Sequence, residues 1–259
     1  MSHAFHNQSN SIRFLVALFV FIQMGTAYSQ DPQGTSIVLS TFAGPPLSTR
    51  NQTGLYDRIV IEAFHRIGIH RVEIIHLPAE RSLANANAGI TDGDFVRISG
   101  LEAWYPELVQ VPEKIADFEF VGFTKKKKIR IKSWEECKTH HVGIVRGWKL
   151  LEKNLAGAVS LTRVRDQNLL FTLLEKDRAD VIVYSRLEGY EIMKQAGIKN
   201  VMVLEPPLEI REMFLYLHKR HDGLVRRLCA ALMDMKKDGA YERIASQTIA
   251  PLLLEMHHE

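Results

Sequence analysis

Residues 141–185 read HVGIVRGWKLLEKNLAGAVSLTRVRDQNLLFTLLEKDRADVIVYS. The run 141–145 is short, apolar and rich in valine and isoleucine, which suits a buried strand. Residues 148–155 carry a helical spacing of apolar positions. Residues 159–164 return to a strand pattern. Asp166 is placed to cap a helix over 167–176. The run 179–184 (ADVIVY) is again too short for a helix and too apolar for a loop. Strand, helix, strand, helix, strand in this order predicts parallel strands joined by crossover helices, the signature of an α/β fold.

The same alternation extends in both directions. Before it, Ser133 with Glu136 three residues on reads as a capping box for a short helix, and 117–123 and 94–98 read as strands. Pro78 ends a strand over 72–77, and Glu80 to Asn87 reads as a helix closed by Gly89. Leu55 to Ile67 places Ile59, Ala63, Phe64 and Ile67 on one stripe, with Gly68 as the stop. Residues 36–41 (SIVLST) are a first strand. After it, Ser185 and Glu188 form a second capping-box spacing. Strands over 201–204 and 213–217, a helix from Leu224 to Met235 and one near Tyr241 to Ser246 complete the chain. No repeat, low-complexity tract or Pro/Gly/Ser linker interrupts it, which suits two lobes joined by extended strands.

With 259 residues, 46% hydrophobic and 24% charged, the chain is long enough for one large or two small domains of roughly 100 to 200 residues. A net charge of +3 is too mild for a nucleic-acid partner. Arg13 precedes the apolar run Phe14 to Ile22, and Ala27 and Ser29 satisfy the small-x-small rule with cleavage before Gln30. Residues 1–29 therefore read as a cleaved secretory signal, and the mature chain as periplasmic. The alternative is an uncleaved anchor, although the run is about half of what a bilayer crossing needs. No cysteine follows it, which argues against a lipoprotein. Cys137 and Cys229, the two cysteines present, fall in helix-like segments of different lobes and are expected as buried free thiols. No Cys-x-x-Cys metal spacing occurs.

Several segments together resemble the family 3 extracellular solute-binding proteins. They are Gly44-Pro-Pro-Leu47, Gly54-Leu-Tyr-Asp57, Trp134-Glu-Glu136, Val142-Gly-Ile-Val-Arg-Gly147, Arg178-Ala-Asp-Val-Ile182 and the ending from Leu232 to Ile244 with Met235-Lys-Lys-Asp-Gly239 and Tyr241. A less characterised branch is resembled through Glu80-Arg-Ser-Leu83, Gly93-Asp-Phe-Val-Arg97 and Val111-Pro-Glu113. Where amino-acid-binding members carry a Ser/Thr-rich stretch ending in Glu-Arg, this chain reads Gly100-Leu-Glu-Ala-Trp-Tyr-Pro106, which puts an amino-acid ligand in doubt. The resemblance implies the type II periplasmic binding fold: two α/β lobes, each a mostly parallel sheet flanked by helices, with two inter-lobe crossovers near Phe123–Lys126 and Pro207–Arg211. Lobe one is then 34–122 plus 212–259, and lobe two 123–211. It also implies an inner-membrane ABC permease or a receptor as partner, and a monomer.

Candidate ligand-binding residues lie where strands end, since open α/β sheets bind ligands at the carboxyl ends of their strands. Arg97 ends a short strand, and a guanidinium there can grip a carboxylate through two hydrogen bonds; the competing role is an ion pair with Asp94 or Glu80. Glu80 and Arg81 open a helix after a strand and could face the cleft, pair with each other or cap the helix. Phe42 follows the first strand as an apolar wall or a plain core residue. Tyr56 and Trp104 are weaker candidates. Arg146 and Gly147 form a turn into a helix whose free N–H groups favour an anion, unless Arg146 simply faces solvent. Tyr184 and Ser185 end a strand and can offer hydroxyls, Ser185 having capping as its other role. Asp180 reads as structural, and the run Lys125 to Lys128 as a solvated face.

No catalytic motif of the Gly-x-Ser-x-Gly or phosphate-loop kind occurs. Neighbouring His140 and His141 point apart on a strand. No metal or other cofactor is expected. Together with the export signal, the resemblance implies a non-enzymatic exported binding protein for a small polar molecule, anionic or amino-acid-like, delivered to a membrane transporter. The alternatives are an exported enzyme of the cyclic-acid dehydratase type on the same fold, which would show an unpaired acid such as Glu80 with a raised pKa, or a ligand sensor feeding a signalling receptor.

Overall fold

A computed structural model describes residues 36–257. The signal segment 1–29 lies outside the described residues. Among the described residues ten strands form one continuous sheet, ordered β2-β1-β3-β10-β5-β8-β6-β7, with β4 beside β10 and β9 beside β5. The strands are β1 (Ser36–Thr41), β2 (Arg71–His76), β3 (Gly93–Arg97), β4 (Leu108–Gln110), β5 (Ala116–Thr124), β6 (His141–Val145), β7 (Ser160–Val164), β8 (Val181–Ser185), β9 (Met202–Val203) and β10 (Glu209–His218). The helices are α1 (Leu55–Arg66), α2 (Ala79–Asn87), α3 (Trp134–Lys138), α4 (Lys149–Asn154), α5 (Gln167–Glu175), α6 (Arg186–Ala196), α7 (Asp222–Lys237), α8 (Ala240–Thr248) and α9 (Ala250–His257).

The sheet has two parallel cores. In the first half β1 pairs in parallel with β2 and β3; in the second, β6 pairs in parallel with β7 and β8. Every antiparallel pairing among the described strands involves β5 or β10. These two strands pair with each other from Ala116–Met213 to Phe120–Glu209 and then diverge. β10 continues beside β3 and β4, and β5 continues beside β8 and β9. The two halves are therefore joined by a two-stranded ribbon.

Sequence motifs find local physical reasons. Gly54 opens α1 because a Cβ there would meet the Leu47 carbonyl oxygen at 2.5 Å. Asp57 gathers the loop before α1: its carboxylate accepts N–H groups from Thr49 and Gly54 and the Ser48 hydroxyl. Asp180 is structural, as its motif suggested. It accepts the His141 N–H at 3.0 Å and the Lys126 ammonium. Lys125 is tied to Asp177, so half of the lysine run serves to pin a loop rather than to face solvent freely. Ser133 caps α3 by accepting the Glu136 N–H, and Trp134 Nε1 donates to Glu209 on β10. α9 was missed by the sequence reading: Pro251 follows Ala250 and suggests a break, yet a proline in the first turn of a helix lacks only an N–H that would be unpaired anyway.

Cys137 is buried and Cys229 half-buried, and both are free. The second thus departs from the expectation of two buried thiols. Burial pushes the Cys137 thiol up to about 12. No described helix is long and apolar enough to cross a membrane.

Candidate functional site

Four strands end at the junction between the halves, and each delivers a side chain there. β1 hands on to Phe42, β3 ends in Arg97, β6 leads through Gly147 to Trp148, and β8 ends with Tyr184 and Ser185. These are the carboxyl ends of the parallel strands, where such sheets bind ligands.

Arg97 reaches the junction through an irregularity in β3. Asp94 pairs with Tyr216 and Phe95 with Leu215, but the next partner of β10, Phe214, faces Arg97. Val96 is therefore bulged, with a φ of +65°, a conformation costly for a β-branched residue. The extra residue changes the alternation of faces. Without it Asp94 and Arg97 would point to opposite sides; with it they share one. Arg97 Nε donates to Asp94 Oδ1 at 2.6 Å, and Nη2 donates to the Ala79 carbonyl at 3.0 Å and to Asp94 Oδ2 at 3.2 Å. The Ser40 and Ser82 hydroxyls also donate to Asp94. Both members of the pair are buried. The structural ion pair weighed for Arg97 is thus present, while Nη1 has no hydrogen-bond partner among the described residues. The guanidinium also lies over Phe42, 4.6 Å from the ring centre.

Phe42 meets the edge of Trp148 at 6.0 Å across the junction. Trp148 in turn stacks on Tyr184, with centroids 4.8 Å apart and planes inclined by 19°. It also touches Phe118 and Phe120 of the linking strand β5 at 6.0 and 5.9 Å. Burial raises the Tyr184 phenol well above its usual range, so it is a neutral hydroxyl near neutral pH. That hydroxyl has no partner among the described residues.

Glu188 was read as a capping-box acid, and the structure corrects this. Ser185 makes no side-chain cap bond to α6. Glu188 instead turns inward and is 2% exposed. Its Oε1 accepts the Gly44 N–H at 2.7 Å, across the junction. Its Oε2 is buried without a hydrogen-bond partner. Burial pushes the carboxyl up to about 7, against smaller opposing effects of Gly44 and the Ser185 hydroxyl.

The remaining candidates are placed less centrally. Glu80 is exposed and forms an ion pair with Lys149 across the junction at 3.1 Å. Arg81 and Arg146 are exposed, and neither forms an ion pair among the described residues. In the turn before α4 the Arg146 N–H donates to the Val164 carbonyl and the Gly147 N–H to the Glu152 side chain. Tyr56 is buried and donates weakly to the Asp117 carbonyl at 3.4 Å, while Trp104 is 73% exposed. Sequence reading missed Trp148, Phe118 and Phe120. The aromatic alternation in 118–120 is visible, but nothing local says that a tryptophan from 30 residues on fills the space above it.

Among the described residues no cluster of three His, Cys, Asp or Glu could hold a metal. Ser48, Asp57 and His76 do lie together, with the Ser48 oxygen 2.5 Å from Asp57 and 2.8 Å from His76 Nε2. The serine proton goes to Asp57, so the imidazole faces Ser48 as donor. That is not the arrangement of a base activating a nucleophile.

No family model matches the chain. Its relatives include an uncharacterised protein of Shewanella oneidensis, 25% identical over 202 residues that cover 75% of each chain. The ligand-binding core of GluR0 complexed with L-glutamate superposes with a TM-score of 0.73 at 11% identity, covering 83% of this chain and 98% of that one. This chain has the type II periplasmic binding fold. The substrate-binding protein of an amino acid ABC transporter matches with a TM-score of 0.67 at 16% identity, covering 83% and 100%. An ancestral amino-acid-binding protein, described as a precursor of cyclohexadienyl dehydratase, matches at 0.66 and 17%, covering 83% and 95%.

Proposed function

We propose that the chain is an exported solute-binding protein that closes its two lobes, 34–122 plus 212–259 and 123–211, over a small polar, amino-acid-like metabolite and presents it to a membrane transporter. The observation that carries this reading is the junction itself. Phe42 from one half meets Trp148 from the other, and Tyr184 backs the Trp148 ring. Beside them stand three polar groups with capacity to spare: Arg97 Nη1, the Tyr184 hydroxyl and Glu188 Oε2. Apolar surroundings with a few convergent polar groups are typical of small-molecule sites. Because these side chains come from both halves, a ligand touching both favours the closed arrangement. The charge of Arg97 is already balanced by Asp94, so a carboxylate on the ligand would be met by a hydrogen bond more than by net positive charge.

The test is a thermal-shift and calorimetric screen of amino acids and small organic acids on the purified protein. A specific ligand raises the melting temperature by mass action, and Trp148→Ala weakens its binding at least tenfold, about 1.4 kcal/mol. A screen without any specific ligand refutes the reading.

One observation favours a second reading, an enzyme on this fold. Glu80, exposed and ion-paired, lacks the isolation a general acid needs, but Glu188 has it, and the dehydratase precursor shares the fold. Turnover of cyclic acids, measured on the protein and on Glu188→Gln, separates the two, since a binding protein leaves each compound unchanged.

A further inference from the structure

Glu188 sits where a buried carboxyl spans the two halves. It rides on α6 of the second half, and its bond goes to the backbone of the loop between β1 and α1 of the first. Among the described residues, the groups facing it bring no positive charge. Tyr56 approaches from α1, Tyr184 from β8 and the Ser185 hydroxyl from the head of α6. On its own helix, Arg186 is held by Glu119 and Glu205, and Glu191 is engaged with Gln195. Two phenols kept neutral by burial cannot offset a carboxylate charge. An ionised carboxylate with one buried oxygen unpartnered is expensive, and a neutral carboxyl is far less so. The protonated form still accepts the Gly44 N–H through its carbonyl oxygen. When the halves part, the same carboxyl meets water and loses its proton at ordinary carboxylate pH.

We propose that shutting of the inter-lobe cleft is coupled to uptake of a proton by Glu188, which acts as a latch on the Gly44 backbone. The coupling rests on the lobe-closure reading given above, but it concerns the protein without ligand. Acidification from about 7 toward 4.5 favours the shut form, and the bias is lost as the pH rises back to about 7, above which both forms are ionised. Affinity for any ligand that needs the shut form then rises as the medium acidifies.

Small-angle scattering of the purified, ligand-free protein between pH 5.5 and pH 8.5 tests this. Wild-type protein expands as the pH rises from 5.5 to about 7 and changes no further up to 8.5, and Glu188→Gln, which is neutral at every pH, stays compact throughout. Equal expansion of both proteins, no expansion of either, or a Glu188→Gln protein that is open at every pH overturns the proposal. Infrared difference spectroscopy on wild type alone covers the case of a variant that does not fold. A protonated carboxyl stretch must be present at pH 5.5 and disappear together with the compact form; its absence at pH 5.5 also overturns the proposal. No metabolite enters these measurements, so a failed ligand screen and a failed latch are separate results.

Discussion

Arg97 shows how a residue's place can be read from the sequence while its partners cannot. Its position at the end of β3 is readable from the sequence, and the competing ion pair with Asp94 was already visible as a spacing. The spacing could not decide, because on a regular strand residues three apart face opposite ways. Only the bulge at Val96 brings them together. Breaking a buried pair leaves an uncompensated charge, so Arg97→Ala should destabilise the protein by about 3 to 5 kcal/mol. Replacing both members, Arg97→Met with Asp94→Leu, should cost much less, and urea unfolding of the two variants checks the order. Glu188 makes a pH-dependent prediction. Its carboxyl is raised to about 7 in the folded chain from an ordinary value of 4.5. The group is neutral in both states below the lower value, so it costs nothing there. As pH rises from 4.5 to about 7 the unfolded chain releases the proton first, and stability falls; the full loss, on the order of 3 kcal/mol, holds above 7. Melting curves of wild type and Glu188→Gln at pH 5 and pH 8 should diverge only at the higher pH. Cys137, buried with its thiol pushed up to about 12, should resist a thiol reagent in the native protein while Cys229 reacts.

At the scale of elements, the sequence was legible wherever a pattern is local. The strand–helix alternation, the stripe on α1 and the caps of α3 and α5 were each readable from residues within a few positions of one another. What was not legible depends on distant partners. β4 is three residues long and exists because β10 offers it an edge. β10 extends from the anticipated 213–217 to Glu209–His218 because β5 pairs its first half. The Ser185–Glu188 spacing imitates a cap, but a buried partner in the first half of the molecule draws the acid inward. Val96 allows a test of the strain in β3. Val→Gly at a regular buried strand position such as Val183 loses burial worth roughly 2 kcal/mol and adds the cost of a glycine. At Val96 the same loss is offset by relief of about 1 to 3 kcal/mol of backbone strain. Val96→Gly should therefore be the milder change by at least about 1 kcal/mol, as read from urea midpoints at constant slope.

For the whole molecule, the fold was anticipated because a set of weak motifs occurred in a fixed order over nearly the entire chain. Several of them hold the framework together. Gly54 makes room for a carbonyl, Asp57 gathers a loop, and Asp180 ties β8 to β6 and to the lysine run. Motifs that build a scaffold identify the scaffold well and its guest poorly. The aromatic contacts depend on which side chains two distant halves bring face to face. The order of the strands has one more result, concerning biosynthesis. β10 lies between β3 and β5 in the middle of the sheet, yet it is the last of the described strands in chain order. Until residues 209–218 emerge, those two older strands present unpaired edges, which invite association with other chains. A growing polypeptide of this design cannot finish its centre early, and a helper that keeps it unfolded until β10 has emerged would shield both edges during that interval.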